Sequence, residues 1–432
     1  MQLTIEKLVY GGDGLARLPA DERGPGKAVF VPFVLEGEDI DAALSEQKRG
    51  FARGRAETIL RASSQRINPE CSYFQRCGGC HYQHTTYEHQ LQIKTAILKE
   101  NLRRIAKLEL DLEITVHPSP PWNYRNRTRL KVRTTPEFAL GYYRFGSHNL
   151  LPVEQCPVSS PLINRAIAVF WQMGRARNIP DGILEIEFFA NADDTQLLVE
   201  AHCDPRTSST PLREWADAAR STLPEIAGVV VFKARSSNMI TAEPKQIAQS
   251  GSREVIYNMG SAFYRISAGA FFQVNRHLVS QLASIVTEGR SGHTALDLYA
   301  GVGLFSTLLA RGFPQVIAVE SSQTSHGDLL HNTPSNVRAV NATTANFLGD
   351  AGGALRPDFV VVDPPRSGLG ESVVRSLVGL GAHRMTYISC DPATASRDLA
   401  GLLGSGYRIE QLHLVDLFPQ TSHLESVFHL TQ

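Results

Sequence analysis

The chain has 432 residues, 43 of them basic and 43 acidic, so its formal charge is zero and it lacks the global basic footprint that phosphate binding usually leaves. With 42% hydrophobic and 20% charged residues it reads as globular, too long for one core and sized for two or three domains. It has no apolar run that could span a bilayer, and Met1–Lys7 lacks the charged-then-apolar order of a secretory signal, so a cytoplasmic protein with no membrane partner, monomeric by default, is expected.

Residues 1–62 read as short strands and turns. Thr4–Tyr10 predicts one strand, Gly11-Gly12-Asp13-Gly14 a turn, Ala28–Val34 a second strand, and the segment carrying Lys48, Arg49, Arg53, Arg55 and Arg61 a third. This is a small β-barrel, either an accessory module with a solvated charged face or a binding module. A cysteine-rich stretch spans Pro69 to His84. A helix is predicted over 87–107, with Tyr87, Leu91, Leu98, Leu102 and Ile105 on one face and Lys94 interrupting it. Mixed strands and helices follow to Ile266. From 267 to 432, strand and helix alternate as in a parallel doubly wound sheet, with buried strands at Ala295–Tyr299, Val316–Val319, Phe359–Val362 and Met385–Ser389. The expected domains are therefore 1–62, 63–266 and 267–432.

Asp297-Leu298-Tyr299-Ala300-Gly301-Val302-Gly303 joins a strand to a helix, and Gly301 and Gly303 permit a tight turn and close approach of a ligand. A dinucleotide fingerprint wants a third glycine where Ser306 stands. Asp297 would repel a pyrophosphate but welcome a cationic methionine moiety, and Glu320, ending the next strand, can accept two ribose hydroxyls. S-adenosylmethionine (SAM) fits better than NAD; a structural βα turn is the alternative. Asp363-Pro364-Pro365-Arg366 lies at a strand's carboxyl end. A related loop with an aromatic fourth residue serves methylation of exocyclic amines, and Arg366 argues against that chemistry. Cys390 ends the next strand. A thiolate adding to carbon 6 of uracil would activate carbon 5 towards an electrophilic methyl group. A free cysteine is only a few per cent thiolate at neutral pH, so the site must lower its pKa or supply a base. Glu425 is the candidate base for removing the carbon-5 proton. Taken alone, Cys390 reads as an inert buried thiol and Glu425 as a surface carboxylate.

Cys71, Cys77 and Cys80 are spaced Cys-x5-Cys-x2-Cys, and Cys156 supplies a fourth thiol. Four thiolates suit a 4Fe–4S cluster or zinc, and spacing alone does not choose. Cys203 has no partner motif and reads as structural. Arg125, Arg127, Arg129, Lys131 and Arg133 fall on odd positions and, in a strand, share one face. That face is a phosphate track or a solvated edge that deters aggregation.

Together these residues resemble the iron–sulfur RNA uracil-5 methyltransferases, close to the enzymes that make 5-methyluridine in 23S ribosomal RNA. The resemblance covers nearly the whole chain and implies an α/β fold. A Rossmann-like SAM methyltransferase domain with a mostly parallel sheet would follow an N-terminal OB-type barrel, whose Gly11–Ala16 looks like a TRAM domain. Between them would lie a mixed α+β domain with a 4Fe–4S cluster on Cys71, Cys77, Cys80 and Cys156. The family implies Cys390 as nucleophile, Glu425 as base, and Gln273, Tyr299, Glu320 and Asp363 against SAM. Thr343 stands near the adenine, where the family often has Asp or Asn. The helix near 87–107 is expected to pack on the catalytic domain. The target uridine must leave its stack, and Phe271, in Phe271-Phe272-Gln273-Val274-Asn275, is a candidate to stack on it. RNA is the expected partner, 23S rRNA favoured and tRNA the alternative. An iron–sulfur redox enzyme and an RNA-binding assembly factor are the readings from other classes; either would tolerate loss of Cys390.

Overall fold

The computed structural model describes residues 1–19, 26–234, 245–351 and 355–432. The N-terminal segment forms a six-stranded sheet in the order Gln2–Thr4, Asp39–Gln47, Phe51–Arg61, Ala28–Pro32, Asp13–Arg17, Lys7–Leu8. Leu3, Ile5, Val29, Val31, Ile40 and Ala52 fill its core. The single strand expected over Thr4–Tyr10 is broken. At Ile5 and Glu6 the chain leaves the strand Asp39–Gln47 and joins Asp13–Arg17: Ile5 N–H donates to the Glu38 carbonyl and Glu6 N–H to that of Leu15. Changing partners is how a sheet curls into a barrel, and it costs strand continuity.

The helix starts at Tyr87, capped by the Thr86 side chain, which accepts from His89 N–H, and runs to Asn101. A π-turn, Leu102–Ala106, ends it against Lys107 in the left-handed region. The buried stripe differs from the expected one. It is Gln90, Ile93, Lys94, Ile97 and Leu98, whereas Ile105 is exposed. Lys94 does not interrupt the packed face but lies inside it, 1% exposed, its ammonium 2.5 Å from Asp416 and 2.9 Å from the Phe418 carbonyl. Tyr87 donates to the other oxygen of Asp416 at 2.9 Å.

A central seven-stranded sheet runs Leu150–Pro152, Ala139–Tyr143, Arg127–Arg133, Ile183–Ala190, Leu197–Cys203, Ile226–Lys233, Gln246–Gly251. The helices Pro161–Arg175 and Ser209–Thr222 pack on it through Phe170, Trp171 and Trp215, and Cys203 is buried in this core. The hairpin Glu254–Met259 and Ala262–Ser267 wedges between this sheet and the next. Its Val255, Tyr257 and Tyr264 share a core with Phe189 on one side and Ala295 on the other.

The third sheet has eight strands, ordered Val337–Asn341, Gln315–Glu320, Thr294–Leu298, Phe359–Val362, Arg384–Ser389, Glu425–Thr431, Arg408–Val415, Ile114–His117. The first five are parallel and the sixth is antiparallel to both neighbours. The central strands divide their side chains between two cores: Phe359 and Val361 face one, Val360 and Val362 the other. Burial on both faces is why these strands read as unbroken apolar runs. The eighth strand comes from far upstream, and Leu98 and Leu102 of the preceding helical segment enter the same core as Val360. Among the described residues no helix is long and apolar enough to cross a membrane.

Candidate active site

In open parallel sheets ligands bind beyond the carboxyl ends of the strands. Pairing register places Tyr299, Glu320, Asp363 and Cys390 along that edge, since each ends or directly follows one of four adjacent strands. Tyr299 and Gly301 take positive φ (63° and 56°) and Gly303 follows at 91°. A Cβ on Gly303 would lie 2.9 Å from Leu329 Cδ1, so that position is closed to other residues. Gly301 instead faces open space, and its N–H donates to Glu320 Oε2 at 2.9 Å. The other Glu320 oxygen accepts from Ser322 N–H at 2.7 Å. Glu320 thus ties the glycine loop to the neighbouring strand end.

Ser306, standing where a dinucleotide fold would have glycine, donates its hydroxyl to Asp297 Oδ2. Asp297 is 1% exposed and its Oδ1 is buried without a hydrogen-bond partner. Burial raises its pKa to about 7, with Asp363 and Glu320 adding repulsion. Asp363 is likewise raised to about 7 by burial, and Gln273 Nε2 donates to it at 3.4 Å. The cofactor loop thus crowds Asp297, Glu320 and Asp363 together, and Asp297 keeps one buried oxygen without a hydrogen-bond partner. That fits a positively charged sulfonium and ammonium better than a pyrophosphate. Thr343 is exposed; its hydroxyl accepts from Asn346 N–H at 3.2 Å, capping the helix Thr344–Ala351.

The antiparallel strand supplies the second catalytic candidate. Ser389 pairs with Ser426, so Cys390 and Glu425 are the next facing positions, one leaving a strand and the other entering one. A parallel strand in that place would have put its own carboxyl end there. Of the two expected routes, a lowered thiol pKa or a base, the surroundings do not provide the first. Burial, then Glu425 and Asp363, push Cys390 up to about 12, with Arg366 opposing. Burial and Asp363 also hold the Glu425 carboxyl well above the ordinary range. The second expectation, a base beside the thiol, is what the geometry offers. Arg366 donates to the His423 ring at 3.2 Å; burial and Arg366 hold that imidazole at about 3, hence neutral. Tyr10, from the barrel, donates its hydroxyl to the Cys390 carbonyl at 3.1 Å. Sequence reasoning did not assign Arg366 or His423 to this site, although both lie inside motifs it used. Nothing in the sequence around Tyr10 pointed here.

Cys71, Cys77, Cys80 and Cys156 line one cavity of about 80 Å³ with Tyr124 and Arg125. Among the described residues no three His, Cys, Asp or Glu side chains are placed to hold a single metal ion. Burial raises Cys77 to about 11 and Cys80 to about 12, with Cys156 adding to both. Arg125 Nε is buried there without a partner.

The basic row differs from the expectation. Arg125 precedes the strand Arg127–Arg133 and belongs to the cysteine cavity, so alternation does not govern it. Arg127 lies over the Phe189 ring at 4.1 Å, donates to the Ala270 carbonyl at 2.6 Å, and pairs with Glu187 at 3.4 Å. Arg129 bonds Glu187 at 2.6 Å and Lys131 bonds Glu185. These carboxylates sit directly opposite in the next strand, so the row is a cross-strand ladder of ion pairs rather than a bare line of charge. Phe271, by contrast, is 61% exposed, two residues before Gln273.

The family described as tRNA (Uracil-5-)-methyltransferase matches residues 86–347 and 354–432. The 23S rRNA (uracil(1939)-C(5))-methyltransferase RlmD of Vibrio cholerae is 31% identical over 98% of this chain and 94% of its own length. An uncharacterized RNA methyltransferase of Aquifex aeolicus is 31% identical over 99% of this chain and 97% of its own. The structure of Pyrococcus abyssi tRNA (uracil-54, C5)-methyltransferase with S-adenosyl-L-homocysteine superposes over 100% of both chains with a TM-score of 0.76, at 23% identity. A match of that extent, taking in the glycine loop and the facing ends of the strands that carry Cys390 and Glu425, makes this chain a member of the SAM-dependent RNA uracil-5 methyltransferase family.

Proposed function

We propose that the protein methylates carbon 5 of a uridine in RNA, 23S ribosomal RNA rather than tRNA. The observation that carries the chemistry is Cys390 facing Glu425 across two antiparallel strand ends beside the acidic cofactor edge. Both the 23S rRNA relative and the tRNA enzyme cover the whole chain, and the higher identity of the 23S rRNA relative, 31% against 23%, favours that substrate.

In this reading Gln273, Tyr299, Gly301, Glu320 and Asp363 hold SAM, with Thr343 at the adenine end. Bound SAM supplies an electrophilic methyl group. Cys390 Sγ, its proton passed to solvent, adds to carbon 6 of the uracil, and the electron pair released onto carbon 5 takes the methyl group as the S–CH3 bond of the sulfonium breaks and its electrons stay on sulfur. Glu425 then accepts the carbon-5 proton, and the electrons of that C–H bond re-form the ring double bond as the thiolate leaves carbon 6. A carboxyl held above its ordinary range is a stronger base once ionised, and Arg366 is the cation beside it. Exposed Phe271 is assigned to stack on the displaced uridine or its neighbour. The paired Arg127, Arg129 and Lys131 hold the central sheet together.

We assign the cysteine cavity to a 4Fe–4S cluster. Four thiols lining one cavity, with Cys71, Cys77 and Cys80 held by burial above the ordinary thiol range, suit a polynuclear cluster better than one zinc ion. The cluster would brace the loops it joins; no step of the methyl transfer needs an electron. The test is incubation of wild type and Cys390→Ala with radiolabelled SAM and RNA lacking the modification, followed by nucleoside analysis. Label in 5-methyluridine with wild type alone is expected, in RNA of 23S size. Equal label with Cys390→Ala would rule out the covalent route.

A further inference from the structure

The glycine turn of the barrel, which the sequence reads as an accessory or RNA-binding module, ends beside Cys390. Tyr10 stands just before Gly11 and Gly12, both in the left-handed region at φ 104° and 96°. Val9 N–H donates to the Asp13 carbonyl and Gly12 N–H to that of Val9, which closes the turn. A Cβ on Gly12 would lie 2.9 Å from His81 Cβ, so the turn sits flat on the cysteine loop. Leu8 packs with Tyr82, Ile93 and Ile97, and Lys7 pairs with Glu100 at 2.5 Å, so the strand leading into the turn is fixed to the helix Tyr87–Asn101. The Tyr10 ring packs against both that cluster and the core of the eight-stranded sheet. Its hydroxyl then meets the Cys390 carbonyl, 380 residues away in sequence, at 3.1 Å.

That carbonyl matters because of where it lies. Cys390 is the hinge between the strand ending at Ser389 and the helix starting at Pro392. Asp391 caps that helix, accepting from Ala393 and Thr394 N–H at 3.0 and 2.9 Å. The far side of the hinge is thus fixed by the cap and the near side by the sheet. The peptide leaving Cys390 is held at its carbonyl by Tyr10 and at its N–H by Ser389 Oγ, 3.2 Å away, and these two bonds fix the backbone from which the Cys390 side chain projects.

We propose that Tyr10 is a positioning residue for the nucleophile, so that the N-terminal barrel is a wall of the active site and not only a means of capturing RNA. A barrel displaced by the absence of RNA, or seated by its presence, would then alter the aim of Cys390. The proposal rests on Cys390 being the nucleophile.

The test uses the full-length, cluster-loaded protein and its Tyr10→Phe variant, which keeps the ring and removes only the hydroxyl. The RNA that wild type methylates is transcribed with 5-fluorouridine. Fluorine at carbon 5 cannot leave as a cation, so the methylated adduct cannot eliminate and survives denaturation. At saturating RNA and SAM, adduct formation in Tyr10→Phe is expected to slow about fivefold to tenfold, the effect of one neutral hydrogen bond. The dissociation constants for RNA and SAM should stay within about twofold of wild type. An unchanged rate at saturation, or a loss confined to RNA affinity, overturns the proposal. An adduct formed by Cys390→Ala would instead overturn the nucleophile assignment beneath it.

Discussion

Replacing Asp297 by Asn separates what this residue does for the fold from what it does for the ligand. Its carboxyl titrates at about 7 in the folded protein, against 3.8 ordinarily, because it is buried with one oxygen unpartnered. Below about pH 4 both folded and unfolded chains hold the proton and there is no penalty. As pH rises the unfolded chain loses it first, so stability falls until the folded carboxyl also ionises near 7. The full penalty above that point is about 4 kcal/mol, and at pH 5 it is about 2 kcal/mol. Asn can still accept from Ser306 and carries no charge. Asp297→Asn should therefore be more stable than wild type in urea, and its advantage should grow by about 2–3 kcal/mol between pH 5 and pH 8. Calorimetry should show SAM binding weakened at least about tenfold, because a cation has lost a carboxylate. A variant no more stable than wild type at pH 8, or an advantage that does not change with pH, would refute the reasoning.

Glu425→Gln should still add Cys390 to the base and transfer the methyl group. It should stall before proton removal, leaving a denaturation-stable RNA adduct and turnover lowered by about 10²–10⁴-fold; rapid turnover without adduct would exclude Glu425 as the base. Lys94→Met leaves Asp416 as a buried charge with only Tyr87 beside it, and should cost about 3–5 kcal/mol in denaturant unfolding. The double variant Lys94→Met/Asp416→Asn should recover much of that loss, and strict additivity would show that the pair is not coupled. Cys80→Ser should release iron and the visible absorbance that goes with it; a variant retaining four irons per chain would remove Cys80 from the ligand set.

The parts of the fold legible in the sequence were those whose physics is local. Phe359–Val362 is apolar throughout because both its faces are buried, and the turn at Gly301 and Gly303 requires glycine at the second of these. What was not legible depends on partners distant in the chain. Lys94 looked like a break in an apolar stripe because Asp416, its counter-charge, comes from the loop before the last strand. Arg127, Arg129 and Lys131 looked like free charge because Glu185 and Glu187 are brought opposite them only by sheet register. Arg125 shares their parity but lies before the strand begins, where alternation has no force. Cys390 and Glu425 stood out as motifs, yet that they face each other follows from one strand running against its neighbours.

The eighth strand of the catalytic sheet has a consequence for how the molecule is made. Ile114–His117 covers Arg408–Val415, which would otherwise be a bare edge with unpaired N–H and C=O groups open to another chain. Gln90 and Gln420, 330 residues apart, exchange hydrogen bonds next to it. The active site therefore rests on contacts of very long sequence separation, which close late and slowly. Until they close, the chain exposes a sticky edge. Variants that delay this closure should fail by aggregating during synthesis rather than by making a folded, inactive enzyme. For the same reason the residues from 267 onward are not a detachable catalytic module: cut from the upstream strand and helix, they would lose the edge cover and the partner of Asp416 together.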